Sequence, residues 1–483
     1  MKRRELLNLG IAAAVAAPFV QTAKKGTRRT NVVMFMTDDH GAWATGAYGC
    51  PDMHTPNINR LAAGGAQFTR AYSCTPVCSP SRMTFMTGSL PSTHGVQDWL
   101  LPEDSFGGGS RRWLDGHLTY SEILKRRGYT LGMSGKWHMG HDDEAQVGFS
   151  EWATVPGGGG PYVNQEFVHN GERKRIAGFK TDVMTDFALE FLEQQKNGNP
   201  FYLLIPFYAP HTPYDYQPEV DRHWFESSEF RCFPDLPPSP HENPGLLNLF
   251  GKRESKLGYS ALIAGADRNV GRVLDKLEQL RLREDTIVVF TADQGWSAGH
   301  HGVWGKGNGT IPFNLYEETI QVPLVWNHPG RIAAGLRPSP MVSSYDYFPT
   351  ILDYLGVDAV PVDRRRVGRS YASFLRGESS AWTNRLFFEY AHLRGVRTET
   401  LKYLERAEGW PAELYDLETD PRETHNLLED PAYQTRGRAL QQEMRGFFQK
   451  AGAPPLEEWR GTTQQRLPSE SATHGPSFQG GQK

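Results

Sequence analysis

The 483-residue chain is short of cysteine and almost without net charge. Its four cysteines, Cys50, Cys74, Cys78 and Cys232, are too few to staple a chain of this length, so a disulfide scaffold is excluded and a hydrophobic core must hold the fold. Lys plus Arg number 52 against 55 Asp plus Glu, a net charge of -3, which excludes a general nucleic-acid binder and leaves any basic site local. No internal repeat occurs. No apolar run is long enough for a stable membrane span. The one approach to it, "MKRRELLNLGIAAAVAAPFVQTAKK" at the start, is short, alanine-rich and broken by Gly10 and Pro18. Its basic beginning and weak apolar stretch read as an export signal over 1–28. Arg3 and Arg4 followed by Glu5, Leu6 and Leu7 resemble a twin-arginine signal, so a periplasmic or secreted protein without a membrane span is expected.

What the chain does have is a set of apolar runs that end in polar residues. "NVVMFMTDDH" (31–40), "YTLGMSGKWHMG" (129–140), "PFYLLIPFYAPHTP" (200–213) and "DTIVVFTADQG" (285–295) each read as a buried strand with a chemical group at its carboxyl end. Between them, Ile263, Ala266, Val270, Val273, Leu274 and Leu277 recur at helical spacing. Alternating strands and helices predict an α/β fold, whose ligands bind at the carboxyl edge of the sheet. Asp38, Asp39, Asp293 and Gln294 would supply hard oxygen ligands suited to calcium or magnesium rather than zinc. Arg82, Lys136, His138, His211 and Lys306 would add cations and proton donors for an anionic substrate. Taken singly, each of these residues reads better as a solvated turn, a surface charge or a satisfied histidine. The cysteines of "CTPVCSPSR" (74–82), read alone, suggest a structural disulfide or buried thiols.

Cys78, Pro80, Ser81 and Arg82 match the CxPSR signature, and "CSPSRMTFMTG" (78–88) its extension, so the chain resembles the type I sulfatases of the alkaline phosphatase-like superfamily. "HTPNINRLAAGGAQFTRAY" (54–72), "SGKWHMG" (134–140), "APHTP" (209–213), "FTADQG" (290–295), "HGVWGKG" (301–307), "YEETIQVPLVW" (316–326) and "ELYDLETDPRETHNL" (413–427) follow in that family's order. The resemblance implies a large domain with a central mixed, mostly parallel sheet flanked by helices, and a smaller C-terminal domain with an antiparallel sheet and a helix. It also implies that a maturation enzyme converts Cys78 to formylglycine, an aldehyde whose hydrate attacks sulfur with one hydroxyl and expels sulfate through the other. The metal, calcium with magnesium as the alternative, would be held by Asp38, Asp39, residue 78, Asp293 and Gln294. By the same resemblance His138 takes a proton, His211 protonates or contacts the leaving alcohol, Lys136 and Lys306 hold the sulfate, and Arg82 fixes residue 78. Two departures stand out: Gln294 replaces the more usual asparagine but keeps its amide oxygen, and Asn59 replaces an aspartate at a helix start. A hydroxyl residue that some members carry cannot be located in "VPGGGGPYVNQ" (155–165).

The expected organisation is a signal at 1–28, a catalytic domain at 29–375, a C-terminal subdomain at 376–458 and a polar tail at 459–483. The expected activity is hydrolysis of a sulfate ester, with a sulfated carbohydrate as substrate. Phosphonate monoester or phosphodiester hydrolysis is the alternative within the superfamily, and a carbohydrate-binding pseudoenzyme is a weaker one. Further substrate contacts are sought in "STHGVQDWLLPEDSFGGGSRRW" (92–113), at Asp98, Trp99 and Arg111, with His94, Arg112 and Trp113 beside them, and at His300 and His301 between Gln294 and Lys306. Trp99 and Trp113 read equally well as packing residues.

Overall fold

A computed structural model describes residues 29–458, apart from 196–197, 358–360 and 408. The export signal and the polar tail lie outside the described residues. Each apolar run singled out above is a strand of one nine-stranded sheet. In chain order the strands are β1 (Asn31–Thr37), β2 (Ala66–Phe68), β3 (Thr130–Gly135), β4 (Glu151–Thr154), β5 (Glu166–His169), β6 (Glu172–Arg175), β7 (Phe201–Pro206), β8 (Thr286–Ala292) and β9 (Leu324–Asn327). They lie side by side in the order β2, β9, β8, β1, β7, β3, β4, β5, β6. The strands from β8 through β1, β7 and β3 to β4 are parallel, and antiparallel neighbours close both edges.

Burial on both faces explains why the central strands read as unbroken apolar runs rather than alternating ones. Along β1, Val32 and Met34 face one core with Tyr202, Leu204, Ile287 and Val289. Val33 and Phe35 face the other with Leu203, Ile205, Val288 and Phe290. The flanking helices include α1 (Pro56–Ala63), α2 (Cys78–Thr87), α3 (Lys180–Gln194), α4 (Arg253–Gln279) and α5 (Tyr347–Tyr354). All six apolar positions predicted for α4 are buried; the five from Ala266 to Leu277 pack into the second core, while Ile263 joins a separate cluster with Phe225, Phe233 and Trp304. The stretch 342–357 is helical only in part. Val342–Ser343 first pairs with Ala71–Tyr72, and Ser343 and Asp346 form a reciprocal cap that delays α5 to Tyr347.

Beyond these, β10 (Leu386–Tyr390), β11 (Leu393–Arg397), β12 (Leu401–Arg406) and β13 (Glu413–Asp416) form an antiparallel meander, with α6 (Gln434–Lys450) against it. Phe388, Val396 and Leu404 of this sheet share one apolar cluster with Tyr72, Cys74, Val77 and Leu315. A disulfide joins Cys50 to Cys232, while Cys74 and Cys78 are free and buried. Among the described residues no helix is long and apolar enough to cross a membrane.

Candidate active site

The carboxyl edge of the parallel strands is where the polar residues meet. β1 runs into Asp38 and Asp39, β8 into Asp293 and Gln294, β3 into Lys136 and His138, and the turn after β7 carries His211. Backbone hydrogen bonds tie these strand ends together: Asp38 N donates to Ala209 O, Asp293 N to Thr37 O and Lys136 N to Pro206 O. Cys78 is the first residue of α2, so the positive end of that helix faces the same point. Its Sγ lies 3.2 Å from Asp38 Oδ1, 2.8 Å from Lys306 Nζ and 3.3 Å from Gln294 Nε2.

Three carboxylates and three permanent cations interlock around this sulfur. Lys306 Nζ donates to Asp39 Oδ1 at 2.6 Å, Lys136 Nζ donates to Asp38 Oδ2, and Arg82 donates to Asp293 Oδ2 at 2.8 Å while approaching Asp38 Oδ2 at 3.4 Å. Arg82 also reaches the Lys136 carbonyl, which locks the β3 turn onto α2. All six side chains are buried. Burial works to raise the Asp38 carboxyl, yet Lys136, His211, Arg82 and Lys306 together hold it well below the usual range. Asp293 goes the other way, raised to about 7 by burial and the Asp38 charge. Lys306, despite burial, is held well above the usual lysine range by Asp39, Cys78 and Asp38. Burial and Asp38 push the Cys78 thiol to about 12, so as a plain cysteine it is protonated and a poor nucleophile at neutral pH.

Two buried acceptors of the cluster, Asp39 Oδ2 and Gln294 Oε1, have no hydrogen-bond partner. The Gln294 amide nitrogen donates to Asp38, Asp39 and Cys78, so three anion-capable atoms converge on one neutral donor. Such an all-oxygen set with unsatisfied acceptors fits a hard divalent cation, calcium or magnesium, better than zinc. Asp38, Cys78 and His211 place one ligand atom each within 4.8 Å of one another.

The two histidines are fixed differently. His138 Nε2 sits 2.9 Å from the Leu100 carbonyl, which can only accept; the neutral ring therefore carries its proton there and leaves Nδ1, which is buried and unpartnered, as a free base. Burial and Lys136 hold its pKa well below the ordinary value. Gly158, at φ 65, backs the ring so closely that a Cβ there would fall 2.5 Å from it. His211 Nδ1 donates to the Thr212 carbonyl at 2.6 Å, and its Nε2 lies 3.7 Å from Asp39 Oδ2. Burial lowers it to about 4 despite Asp39 and Asp38. Asp39 and His138 both adopt positive φ, of 64 and 56. Such conformations cost about 1 kcal/mol or more and cluster at functional sites.

Thus the structure brings Asp38, Asp39, Cys78, Arg82, Lys136, His211, Asp293, Gln294 and Lys306 into one cluster, with His138 beside it. The outer candidates lie around it. Leu100, whose carbonyl holds His138, follows Asp98 and Trp99; Asp98 accepts from Tyr390 OH at 2.9 Å, and Trp99 packs against the cluster under the small sheet. Arg111 is exposed and stacks 4.1 Å over Trp113, and the 111–113 segment rests against Gly140. Arg112 reaches Glu144, and His94 is buried near Thr84. His300 bonds the Ser297 carbonyl, whereas His301 bonds Glu318 Oε2 at 2.6 Å and stacks on Tyr316. Sequence reasoning passed over Tyr208 and Tyr162, which contact His211, and Lys180, which lies over both of their rings. A signal for Lys180 existed, because it occupies the same helical face as the buried Val183, Met184, Ala188 and Phe191.

Comparison with known proteins places this geometry. A family model described as Sulfatase matches residues 30–357, and one described as N-sulphoglucosamine sulphohydrolase, C-terminal, matches 299–450. The chain is 26% identical to an N-acetylglucosamine-6-O-sulfatase of Bacteroides thetaiotaomicron, over 90% of this chain and 89% of that protein. It is 26% identical to an ulvan-active sulfatase of Formosa agariphila, covering 89% and 83% of the two chains. Among solved structures, a protein in complex with its substrate D-glucosamine-2-N,6-O-disulfate aligns with TM-score 0.76 at 25% identity, over 89% of this chain and 100% of that one. A phosphonate monoester hydrolase of Agrobacterium radiobacter shares the fold, with TM-score 0.70 at 21% identity over 88% and 96% of the chains.

Proposed function

Because the chain belongs to the sulfatase family, we propose that this sulfuric ester hydrolase acts on a sulfated carbohydrate, with Cys78 oxidised to formylglycine and a calcium ion at Asp38, Asp39, Asp293 and Gln294. The observation that carries the reading is the convergence of Lys306, Asp38 and Gln294 on the Cys78 sulfur, whose thiol is held neutral. Sγ marks where an oxygen on Cβ would stand. As a thiol the residue lacks a nucleophile that works at neutral pH; the hydrate of an aldehyde would provide one together with a second hydroxyl for release of sulfate. The metal would supply Lewis-acid polarisation and a positive charge for the anionic ester.

The remaining chemistry lies in the chain's own residues. Three carboxylates balance Arg82, Lys136 and Lys306, so a divalent cation makes the site net positive, as a sulfate ester requires. Lys136 and Lys306 hold sulfate oxygens. His138 Nδ1 is the base that takes the proton from the hydroxyl left on residue 78. His211 keeps Nδ1 on the Thr212 carbonyl and carries the mobile proton on Nε2; the charge of an arriving sulfate favours that protonated form, which then passes its proton to the leaving alcohol. The two relatives named for glucosamine and ulvan, and the neighbour bound to a sulfated glucosamine, support a carbohydrate substrate. Export through a twin-arginine signal to the periplasm or beyond is part of the same reading, supported by the Cys50–Cys232 disulfide. Fractionation of cells expressing the full chain tests it, and retention in the cytoplasm counts against it.

Mass spectrometry of the tryptic peptide 71–82, from protein made beside a maturation enzyme, is expected to show formylglycine at position 78. Fully active enzyme carrying intact cysteine would refute the mechanism. Turnover of an aryl sulfate measured beside an aryl phosphonate decides between the two superfamily activities, and a preference for the phosphonate would reverse the assignment.

A further inference from the structure

Lys180 is a buried cation that the chemistry above does not use. It is the first residue of α3, where the helix dipole disfavours a positive charge, and its side chain is wholly buried. No carboxylate forms an ion pair with it among the described residues. Instead its Nζ lies 3.7 Å over the centre of the Tyr208 ring and 5.3 Å over that of Tyr162. It donates at 2.8 Å to the Gly160 carbonyl, with the Gly159 carbonyl at 3.4 Å. Burial, reinforced by Lys136, drives the ammonium well below the ordinary lysine range, with Asp215 and Asp38 opposing. With no carboxylate among the described residues to pair with, the side chain is held by the rings and the carbonyl that it joins.

It joins two segments that carry the proton-transfer groups. On one side stands the glycine run, in which Gly158 backs the His138 ring. On the other stands the turn after β7: Tyr208 OH donates to the Thr212 carbonyl, Tyr162 OH donates to the His211 carbonyl at 2.8 Å, and the Tyr208 and His211 rings lie 4.9 Å apart. Tyr208 also receives Lys136 Nζ at 5.3 Å, so one ring accepts both ammonium groups and carries the sulfate-holding lysine as well. We propose that Lys180 is a positioning residue: seated on Tyr208 and bonded to Gly160, it latches the glycine segment behind His138 to the turn that bears His211, and so fixes both imidazoles for proton transfer. This rests on the assignment of His211 as the acid for the leaving alcohol.

The test is leaving-group dependence in the modified, metal-loaded enzyme. Para-nitrophenyl sulfate releases a stable anion and needs little protonation; unsubstituted phenyl sulfate needs more. Lys180→Met is expected to lower kcat on phenyl sulfate about 10-fold more than on para-nitrophenyl sulfate, with KM within about twofold on both. A purely structural role would lower both rates by the same factor, and that result, or no loss at all, overturns the inference. His211→Ala serves as the reference. If it discriminates between the esters and Lys180→Met does not, the inference alone fails; if neither discriminates, the acid assignment falls and the inference with it. Should Lys180→Met not fold, Tyr162→Phe, which removes the hydroxyl under His211 and keeps the lysine, must show the same discrimination or the latch is refuted.

Discussion

Two buried charge clusters both draw on the 301–318 segment, and they are alike in composition. One surrounds Cys78, with Asp38, Asp39 and Asp293 against Arg82, Lys136 and Lys306. The other ties β11 and β12 of the small sheet to residues 301, 317, 318 and 423, with Glu317, Glu318 and Glu423 against His301, Arg397 and Lys402. In the second cluster pairing is nearly complete. Arg397 grips Glu317 through Nε at 3.1 and 3.0 Å, Lys402 bridges Glu317 and Glu423 and also donates to the Leu315 carbonyl, and Glu423 accepts from Glu317 N at 2.9 Å. In the first, acceptors on Asp39 and Gln294 are left over and an imidazole nitrogen on His138 is bare, whereas in the second the one such acceptor, Glu423 Oε1, faces Lys402; positive φ occurs in both, at Asp39 and His138 and at His301 and Glu423. Buried charge by itself therefore marks no site. What separates a catalytic cluster from a bolt is the set of polar atoms that the protein leaves for something else.

The strongest way to break this contrast is to remove the centre of the first cluster. Cys78→Ala is expected to cost about 10^6-fold in kcat, the usual price of deleting a nucleophile, with the melting temperature nearly unchanged. Asp38→Ala comes next, with a loss of about 10^3-fold in kcat and of bound metal measured by elemental analysis; full metal content in that variant would remove Asp38 from the ligand set. In the bolt the outcome should invert. Lys402→Met leaves Glu423 buried without its cation and is expected to cost about 3 kcal/mol of unfolding free energy in urea titration, while kcat of the folded fraction stays within about twofold. A large drop in kcat there would show that the bolt reaches the chemistry.

The smallest expected effect is a pH dependence carried by His301 and Glu318. Glu318 is buried, which opposes ionisation, but the His301 bond outweighs this and lowers it to about 2. A depressed carboxyl stabilises the fold above its unfolded value near 4.5, and that contribution is lost as pH falls toward 2. His301 is raised above 6.5, because Glu318 overcomes burial, so its contribution is complete below that value and fades as pH rises through the raised one. The pair thus supports stability most fully between about pH 4.5 and 6.5. Glu318→Gln should flatten both limbs of the stability profile by about 2 kcal/mol or less, and an unchanged profile would mean that the pair is worth nothing.

The first cluster was far more legible in the sequence than the second. Asp38, Asp39, Lys136, His138, Asp293 and Gln294 each follow a continuous apolar run, so strand periodicity alone points to where they gather. The bolt has no such cue: Lys402 lies on β12, Glu423 in a turn, and Glu317 some hundred residues earlier, and only the fold brings them together. His301 shows the consequence, since proximity in sequence to Gln294 and Lys306 suggested a substrate contact, while its ring is bonded to Glu318 and stacked on Tyr316. The Cys50–Cys232 bridge, separated by 182 residues, was one of several pairings that the sequence left open. Local patterns reveal which strand ends carry chemistry; long-range pairing is written in volumes and contacts that no window of sequence contains.

The burial of Cys78 also sets a clock. The residue is 2% exposed, opens a helix whose ten residues are all buried, and lies beneath Lys306 and Asp38. Another enzyme's active site would have to surround the segment 74–82 to oxidise it, and no such access exists once all ten residues of α2 are buried. The proposed conversion of Cys78 therefore belongs to the newborn chain, ahead of closure of the core. If twin-arginine export carries the protein already folded, the decision between active enzyme and permanently inert protein is taken in the cytoplasm, within the interval between synthesis of residue 82 and completion of the sheet, and nothing encountered after export can revise it.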